Sequence, residues 1–243
     1  MEDNSLIIIP TYNECENIGE IIESILQLDN QNDILVIDDN SPDGTSRIVT
    51  NIKKANPDKV FLIVRDKKSG LGSAYKEGFR WALKKKYNLI FQMDADFSHN
   101  PHEIKNFKEL LINKNFDVII GSRYLQGVSV INWPLSRIFL SYFANLYVRI
   151  ITGLPVKDST SGFVGYNYKA LNSLNINNIK FNGYAFQIEM KFKLWKNNFK
   201  LKEYQIIFRN RKLGESKMDK NIILEAIFGV IKLKIKSLLG KNE

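Results

Sequence analysis

The sequence predicts an α/β protein in which a mostly parallel central sheet carries helices on both faces. Short apolar runs alternate with helical patterns through the first half of the chain, and this order is typical of parallel sheets. With 243 residues, of which 44% are hydrophobic, the chain can bury one substantial core. Charged residues make up 25% of the chain, which is ordinary for a globular protein and argues against disorder.

The first half divides into five predicted strands with helices between them. The strands, each a short apolar run, are 6–9, 34–37, 60–64, 89–93 and 118–120. The helices are 16–28, 46–55, 73–86 and 101–113, the last with a proline at its start. Because parallel α/β folds bind ligands at the carboxyl ends of their strands, we expect a site along that edge of the sheet.

After residue 125 the alternation gives way to longer apolar segments. We expect a helix at 133–152, a Gly-rich strand region at 161–166, a helix at 185–195, a strand at 201–208 and an amphipathic helix from residue 221. No low-complexity linker or internal repeat separates these segments. We therefore expect one domain over 1–220, whose two halves meet near residue 125, followed by a basic amphipathic helix over 221–243.

The charge balance favours polyanionic partners. The net charge of +9 suits nucleic acid, nucleotide phosphates or an anionic membrane surface, and composition does not choose among them. A single cysteine, Cys15, excludes an intramolecular disulfide and suits a reducing compartment. We expect no signal peptide and no spanning helix, because no run reaches about 18 uncharged apolar residues.

Two acids, Asp94 and Asp96, stand one residue apart at the end of the fourth predicted strand. Carboxylates at the mouth of a buried strand are costly unless something neutralises them. A Mg²⁺ or Mn²⁺ ion that bridges them to a diphosphate would do so, since these ions prefer carboxylate and phosphate oxygens. The alternative is that the two acids cap the following turn, and an acid-x-acid pattern alone does not decide between these interpretations.

Two further predicted strands also end in polar residues at the same edge. The first is followed by Tyr12, which offers an aromatic face, and by Glu14, which can bond a ribose or a base edge. The second ends in Asp38 and Asp39, and capping explains the polar turn after them but not two adjacent acids. Three acidic strand ends on one sheet favour a crevice that binds a nucleotide and a metal.

Several segments of the chain resemble a known enzyme family. They are Pro-Thr-Tyr-Asn-Glu at 10–14, Asp-Asp-Asn-Ser-Pro-Asp-Gly-Thr at 38–45, Gly-Leu-Gly-Ser-Ala-Tyr at 70–75 and Asp-Ala-Asp-Phe-Ser-His at 94–99. Shorter matches follow at 121–124, 158–163 and 211–217. Together they resemble the GT-A glycosyltransferases of family 2 and, more narrowly, the dolichyl-phosphate (polyprenyl-phosphate) mannosyltransferases. The likeness extends over about residues 5–235 in the same order.

The resemblance implies a GT-A fold and transfer of mannose from GDP-mannose to a polyprenyl (dolichyl-type) phosphate. It implies an inverting displacement assisted by Mg²⁺ or Mn²⁺, with the lipid phosphate as nucleophile. The alternative within the family is another donor, such as UDP-glucose. A basic nucleic-acid-binding protein is a rival from another class, but acids at three strand ends would repel a phosphate backbone. We expect no nucleic-acid partner.

The resemblance also implies roles for residues that match the family's motifs. Asp94, Ala95 and Asp96 would lie at the diphosphate, with Asp94 and Asp96 as the metal ligands. The nucleoside pocket would be lined by Pro10, Tyr12, Glu14, Ile37 and Asp39.

Three basic residues would neutralise phosphates: Arg123, Arg211 and Lys217. The last two flank Gly-Glu-Ser in a loop that would close over the diphosphate. The expected catalytic group is Asp94, Asp96 and Arg123. Without the resemblance, arginines and lysines on polar loops are usually solvated.

The acceptor is expected at the long apolar helix. Arg137 and Ser141 are one turn apart on one face, and we hypothesise that they hold the lipid phosphate. The alternative is a buried helix with snorkelling arginines. The helix from residue 221 is expected at an anionic membrane surface or against a small membrane subunit. These interpretations together predict a peripheral protein on the cytoplasmic face of a membrane.

Overall fold

The computed structural model describes residues 4–29, 31–210 and 220–239. The first half alternates strands and helices as the sequence predicts. Its strands are β1 (Ser5–Thr11), β2 (Asn32–Asp38), β3 (Val60–Val64), β4 (Leu89–Gln92) and β5 (Val118–Ser122). Its helices are α1 (Ile18–Leu26), α2 (Thr45–Ala55), α3 (Leu71–Lys85) and α4 (Glu103–Asn113).

The second half is built mainly from helices. Its helices are α5 (Leu135–Thr152), α6 (Tyr168–Asn172), α7 (Gly183–Lys196) and α8 (Lys220–Leu238), with a 3-10 turn at Ile176–Asn178. Its strands are β6 (Val130–Ile131), β7 (Val164–Asn167), β8 (Leu201–Gln205) and β9 (Phe208–Arg209).

The central sheet has seven strands in the order β3-β2-β1-β4-β7-β5-β8. All neighbours pair in parallel except β7, which is antiparallel to β4 and to β5. The predicted mostly parallel sheet with helices is confirmed. Because β1, β2, β4 and β5 point the same way, the segments that follow them meet at one edge.

Strand β1 shows why the sheet is buried on both faces. Side chains alternate across a strand, so Leu6 and Ile8 enter one core while Ile7 and Ile9 enter the other. All four are fully buried. Fully burying a side chain of this size stabilises the fold by about 1.5–3 kcal/mol, and a continuous apolar run is what such a strand requires.

Gly78 sets the distance between α3 and the sheet. A Cβ atom at this position would lie 2.6 Å from Ile8 Cγ2 and 3.0 Å from Ile37 Cδ1. Such a contact is shorter than real Cβ atoms make, so only glycine lets α3 approach this closely. The approach matters for the site because the amino terminus of α3 lies at the carboxyl edge of the sheet.

The predicted strand at 201–208 is wrong in its second part. The chain leaves the central sheet after Gln205, where Ile206 N donates to Ser122 O at 3.0 Å. Two residues later it joins a second, two-stranded sheet in which β9 pairs with β6. The apolar run Ile206, Ile207 and Phe208 after Gln205 does not reveal in the sequence that the chain changes sheets. The short elements β6 and α6 and the 3-10 turn were not predicted.

Helices α5, α7 and α8 pack together beside the sheet. Val148, Ile188, Phe192, Val230 and Leu233 form their shared apolar core. Tyr147 Oη donates to the Ile227 carbonyl at 3.0 Å and ties α5 to α8. Among the described residues, no helix has the length and apolar character needed to cross a membrane.

Large apolar side chains remain exposed on α5 and α8. On α5 they are Leu135, Phe139, Leu140, Tyr142, Phe143 and Ile150. On α8 they are Ile227, Phe228, Ile231, Ile235 and Leu238. An exposed apolar area formed by two adjacent helices is typical of an interaction surface.

Candidate active site

A cavity of about 410 Å³, the strand-end cavity, opens where β1, β2 and β4 end. Its walls also include the start of α3, the segment 160–162 and the start of α7. It brings together most of the residues that the sequence predicted for a nucleotide and a metal. These are Pro10, Tyr12, Glu14, Asp39, Asp94, Ala95, Asp96 and Arg123. The cavity also contains Arg137, which was predicted for the lipid phosphate.

The two adjacent acids at the end of β2 have different surroundings. Asp38 is fully buried and accepts hydrogen bonds from Thr11 Oγ1 at 2.8 Å, Ser41 N at 2.9 Å and Ser41 Oγ at 2.6 Å. It therefore holds the turn together. Asp39 lines the strand-end cavity, so the second acid is the one available to a ligand.

Asp39 forms a salt bridge with Arg65, which lies just beyond the end of β3. Arg65 Nη1 also donates to Ser73 Oγ at 2.8 Å, and its Nη2 to the Gly70 carbonyl at 3.4 Å. The arginine thus joins the ends of β2 and β3 to the start of α3. The sequence reasoning missed Arg65, although its position directly after a strand at the ligand-binding edge was a usable signal.

Tyr12 and Lys68 form an aromatic and cationic pair on the wall of the cavity. Lys68 Nζ lies 4.2 Å from the centre of the Tyr12 ring, and both residues line the cavity. A cation over an aromatic face is an attractive contact. A planar base and an anionic phosphate can both be accommodated beside such a pair.

Asp94 and Asp96 follow β4 and lie in the same cavity. Asp94 is 36% exposed, whereas Asp96 is 7% exposed and accepts a hydrogen bond from Ser98 N at 3.1 Å. In the part of the chain that the structure describes, no group of three or more His, Cys, Asp or Glu side chains could hold a metal. Two carboxylates fit Mg²⁺ or Mn²⁺ that takes its other ligands from substrate phosphates and water.

His99 supports the acid pair from behind. Its Nδ1 accepts a hydrogen bond from Asp94 N at 3.2 Å, and its ring stacks on Phe163 with the ring centres 4.9 Å apart. Burial lowers the pKa of His99 below its usual value, although the nearby Asp94 and Asp96 act in the opposite direction. A neutral ring that orients the Asp94 backbone is the arrangement this geometry favours.

Arg123, which follows β5, is buried and held by Asp158. Its Nε donates to Asp158 Oδ2 at 2.7 Å and its Nη2 to Asp158 Oδ1 at 2.6 Å, while Nη2 also donates to Thr160 Oγ1 at 2.8 Å. Burial alone would raise the pKa of Asp158, but the charge and hydrogen bonds of Arg123 hold that pKa below its usual value. Arg123 therefore stays charged and fixed in orientation.

A second cavity of about 290 Å³, the apolar groove, lies between α5, α7 and α8. Apolar side chains form most of its wall, among them Leu140, Ala144, Val148, Ile188 and Val230. Four residues line both this groove and the strand-end cavity: Arg123, Arg137, Thr160 and Tyr184. The two cavities therefore meet at a cationic junction.

Arg137 and Ser141, which were predicted to hold the lipid phosphate, both lie on α5 and line the apolar groove. Arg137 lies over the Trp133 ring, with Cζ 3.9 Å from the ring centre, and its Nη1 donates to Asn210 Oδ1 at 3.1 Å. Ser141 lines the groove and not the strand-end cavity. An arginine that is shared by a polar and an apolar compartment suits a ligand with a charged head and an apolar tail.

One predicted site residue among those that the structure describes lines neither cavity. Ile37 is fully buried in the core, where its side chain packs near Gly78, and it does not line the strand-end cavity. Arg211 and Lys217 lie outside the described residues.

Other cavity residues were not assigned by sequence reasoning. Among them are Lys68, Thr160, Ser161, Tyr184 and Gln187. Thr160 and Ser161 belong to a segment that the motif comparison did single out, so their position could have been inferred from it. Tyr184 and Gln187 lie in the first two turns of α7, whose residues are buried without interruption from Ala185 to Phe192, and nothing in the sequence pattern separates them from core residues.

Comparison with known proteins agrees with this geometry. The family model described as glycosyl transferase family 2 matches residues 6–174. The chain belongs to glycosyltransferase family 2. This family assignment makes the protein a glycosyltransferase, and its sheet and helices form the GT-A fold.

Two curated relatives match nearly the whole glycosyltransferase chain. The polyprenol monophosphomannose synthase of Mycolicibacterium smegmatis is 39% identical over 237 residues, which cover 98% of this chain and 89% of the relative. The undecaprenyl-phosphate mannosyltransferase of Micrococcus luteus is 38% identical over 225 residues, which cover 93% of this chain and 91% of the relative.

Solved structures show the same fold at lower identity. Glucosyl-3-phosphoglycerate synthase from Mycobacterium tuberculosis in complex with UDP superposes with a TM-score of 0.69 at 15% identity, covering 96% of this chain and 80% of that one. Its complex with Mn²⁺, UDP-glucose and phosphoglyceric acid gives a TM-score of 0.68 at 15% identity, with the same coverage. At this identity the likeness concerns the fold alone.

Proposed function

We propose that this glycosyltransferase moves mannose from GDP-mannose to a polyprenyl phosphate. The observation that carries the proposal is the junction of the strand-end cavity with the apolar groove at Arg123, Arg137, Thr160 and Tyr184. A nucleotide-sugar needs the first compartment, and an isoprenoid chain needs the second. The names of the two relatives at 39% and 38% identity support the same sugar and the same class of acceptor.

The nucleotide would bind along the ends of β1 and β2. Tyr12 offers the base an aromatic face, and Glu14 and Asp39 offer acceptors to ribose hydroxyls or base N–H groups. Arg65 fixes the Asp39 carboxylate, so this acceptor is already oriented before the ligand arrives. The resemblance of the sequence to the family supports Arg211 and Lys217 as further phosphate ligands.

Asp94 and Asp96 would hold a divalent cation at the diphosphate. When bound, Mg²⁺ or Mn²⁺ supplies positive charge that stabilises the leaving diphosphate. The Mn²⁺ in the complex of the M. tuberculosis enzyme with UDP-glucose supports such an ion in this fold. The two carboxylates differ in solvent exposure: Asp94 is the more exposed, whereas Asp96 is mostly buried and accepts a hydrogen bond from Ser98 N.

The acceptor phosphate needs no general base. The second pKa of a phosphate monoester is about 6, so at neutral pH the group is already largely a dianion. One of its oxygens forms the new bond to the anomeric carbon, while the bond from that carbon to the diphosphate breaks and its electron pair leaves with GDP. Arg137 and Arg123 would hold the phosphate in line and reduce the repulsion between the two anions.

The membrane would be reached through α5 and α8. Their exposed apolar side chains, together with the lysines of α8, suit the interface of an anionic membrane. We place the enzyme peripherally on the cytoplasmic face, which the single cysteine also suits. Co-sedimentation with anionic liposomes before and after removal of 221–243 tests this attachment, and unchanged sedimentation would exclude α8 as the anchor.

A transfer assay tests the proposed function directly. Purified enzyme is given labelled GDP-mannose, UDP-glucose or UDP-N-acetylglucosamine together with a polyprenyl phosphate. We expect a mannolipid that requires a divalent cation, and we expect Asp96→Ala to lower the rate by at least about 100-fold. Asp58→Ala, which removes an exposed acid outside the cavity, should keep the rate. Incorporation from UDP-glucose alone would contradict the donor assignment.

A further inference from the structure

Gln187 on α7 is a buried amide without a protein partner. It is 1% exposed and lines the strand-end cavity. Among the described residues it is the only buried amide in which neither the side-chain oxygen nor the side-chain nitrogen has a hydrogen-bond partner. Buried polar groups are nearly always paired, and an unpaired one destabilises the folded state. Such a group therefore points to a ligand.

The neighbouring polar side chains of α7 are satisfied by the protein. Glu189 Oε2 accepts from Lys180 N at 2.9 Å and from Phe181 N at 3.2 Å. Lys191 Nζ donates to the Ser159 and Ser161 carbonyls at 3.1 and 2.7 Å. Gln187 differs from both because its amide faces the cavity instead of the backbone of an adjoining loop.

The space beside Gln187 is kept open by a glycine. A Cβ atom at Gly162 would lie 3.8 Å from Gln187 Nε2, 3.9 Å from Asp94 Oδ1 and 3.8 Å from His99 Cε1. The amide and the carboxylate of Asp94 thus border one small space. A Cβ atom at position 162 would already be in van der Waals contact with the groups that border it.

The polar groups around this space match a hydroxylated ligand. An amide both donates and accepts hydrogen bonds, and a carboxylate accepts them. A sugar hydroxyl does both, whereas a phosphate oxygen only accepts and is better matched by arginine. The space adjoins Asp94, which the proposed function places next to the diphosphate, so the sugar attached to that diphosphate comes within reach.

We infer that the Gln187 amide binds the hexose hydroxyls of the nucleotide-sugar and contributes to the choice of sugar. This inference rests on the proposed function, because it assumes that the strand-end cavity holds the donor. It assigns Gln187 to the sugar and neither to the nucleotide nor to the acceptor phosphate.

The test separates binding of the sugar from binding of the nucleotide. Gln187→Met keeps the length of the side chain and removes both polar atoms. Calorimetry measures Kd for GDP-mannose and for GDP, without acceptor, on wild type and variant. We expect Kd for GDP-mannose to rise about tenfold, as loss of roughly one good hydrogen bond implies, with Kd for GDP unchanged within about twofold.

Thermal unfolding provides the second readout. Because the amide has no protein partner, Gln187→Met should leave Tm unchanged or raise it. The matched control is Asn145→Leu, since the Asn145 amide is buried and bonded to Ser159 Oγ at 2.8 Å and Thr160 N at 3.2 Å. That control should lower Tm. A fall in Tm for Gln187→Met would overturn the inference, because it would indicate a structural role.

Other outcomes are equally decisive. Wild-type affinity of Gln187→Met for GDP-mannose, or equal weakening for GDP and GDP-mannose, would overturn the role of Gln187 while leaving the proposed function intact. If the wild-type enzyme transfers a different sugar, the proposed donor is wrong. The role of Gln187 is then tested by measuring Kd for that nucleotide-sugar and for its nucleotide in wild type and in Gln187→Met. Gln187→Asn, which keeps an amide but shortens its reach, should show the same selective loss of sugar affinity.

Discussion

The strand-end cavity and the apolar groove are built in different ways. The first lies at the carboxyl ends of parallel strands, and its charged side chains are held by partners, as Asp39 is by Arg65 and Arg123 by Asp158. The second lies between three helices and offers mostly apolar side chains from each. A polar site with fixed side chains suits a ligand that is recognised through specific hydrogen bonds. An apolar groove suits a chain that needs burial but little orientation.

With the proposed function, the difference would let one chain join a water-soluble donor to a lipid acceptor. Each compartment would need only its own kind of chemistry, and the reaction would occur where the two meet. Both compartments share Arg123 and Arg137. Substitutions at such shared residues test whether the two ligands meet there.

Among the variants that compare the two compartments, removal of the charge at the junction should have the largest effect on transfer. Arg137→Ala should raise KM for polyprenyl phosphate by about 10–100-fold, because a hydrogen bond to a charged group contributes about 1.5–3 kcal/mol. Affinity for the nucleotide should change little, since other residues hold it. Steady-state kinetics with the lipid varied, together with calorimetry for GDP, measure the two effects.

The control for this prediction lies on the same helix. Arg149 is exposed in the last turn of α5 and lines neither cavity, so Arg149→Ala should leave KM for the lipid unchanged. If Arg149→Ala raises KM for polyprenyl phosphate as much as Arg137→Ala does, the effect comes from a general attraction of the lipid to positive charge. The junction then has no special role.

Narrowing the groove should have a smaller and more selective effect. Ala144 lines the apolar groove, and Ala144→Trp would fill part of its volume. We expect transfer to a long polyprenyl phosphate to fall about tenfold, which corresponds to about 1.4 kcal/mol. Transfer to a short prenyl phosphate should fall less, because its chain fills less of the groove. The ratio of the two rates is the measured quantity.

Ile150→Trp is the matched variant, since Ile150 is exposed on α5 and does not line the groove. It should leave the ratio of the two rates as in wild type. Equal losses for long and short acceptors in Ala144→Trp would argue that the chain does not occupy this groove.

The third prediction concerns stability, not transfer, and bears on the support beneath the junction. Lys191 is fully buried, and burial lowers its pKa to about 7, although nearby Asp158 acts in the opposite direction. In the unfolded chain the lysine pKa is about 10.4, so between these values the unfolded state binds more protons than the native state. Stability should therefore rise with pH through this window, by about 1 kcal/mol per pH unit from this residue.

Lys191→Met should remove that rise. Urea unfolding at a series of pH values from neutral to moderately alkaline gives the free energy of unfolding for both proteins. Wild type should gain stability relative to the variant as pH increases. Parallel curves would show that Lys191 keeps its proton throughout, held by the Ser159 and Ser161 carbonyls.

Much of the fold and part of the site could be predicted from the sequence. The strands of the first half are short apolar runs, and their order alone indicates which ends meet, so Asp39, Asp94 and Asp96 could be grouped by their positions in the chain. The strand pattern alone could not separate Asp38 from Asp39, because which of two adjacent acids turns inward depends on the partners Thr11 and Ser41. Only the resemblance to the family selected Asp39.

The groove and Gln187 were harder to predict for a physical reason. The groove is formed by side chains from α5, α7 and α8, and their packing is set by tertiary contacts that a single helix pattern does not contain. Gln187 lies between buried residues of α7 and is itself buried as they are. Only the missing hydrogen-bond partners distinguish it, and these are visible only in the folded chain.

A crystal structure with GDP and a polyprenyl phosphate is the most direct test of the junction. We expect the phosphate within hydrogen-bonding distance of the Arg137 guanidinium, and the isoprenoid chain against Ala144, Val148 and Ile188. A chain bound on another surface, outside the groove between α5, α7 and α8, would contradict the proposed junction.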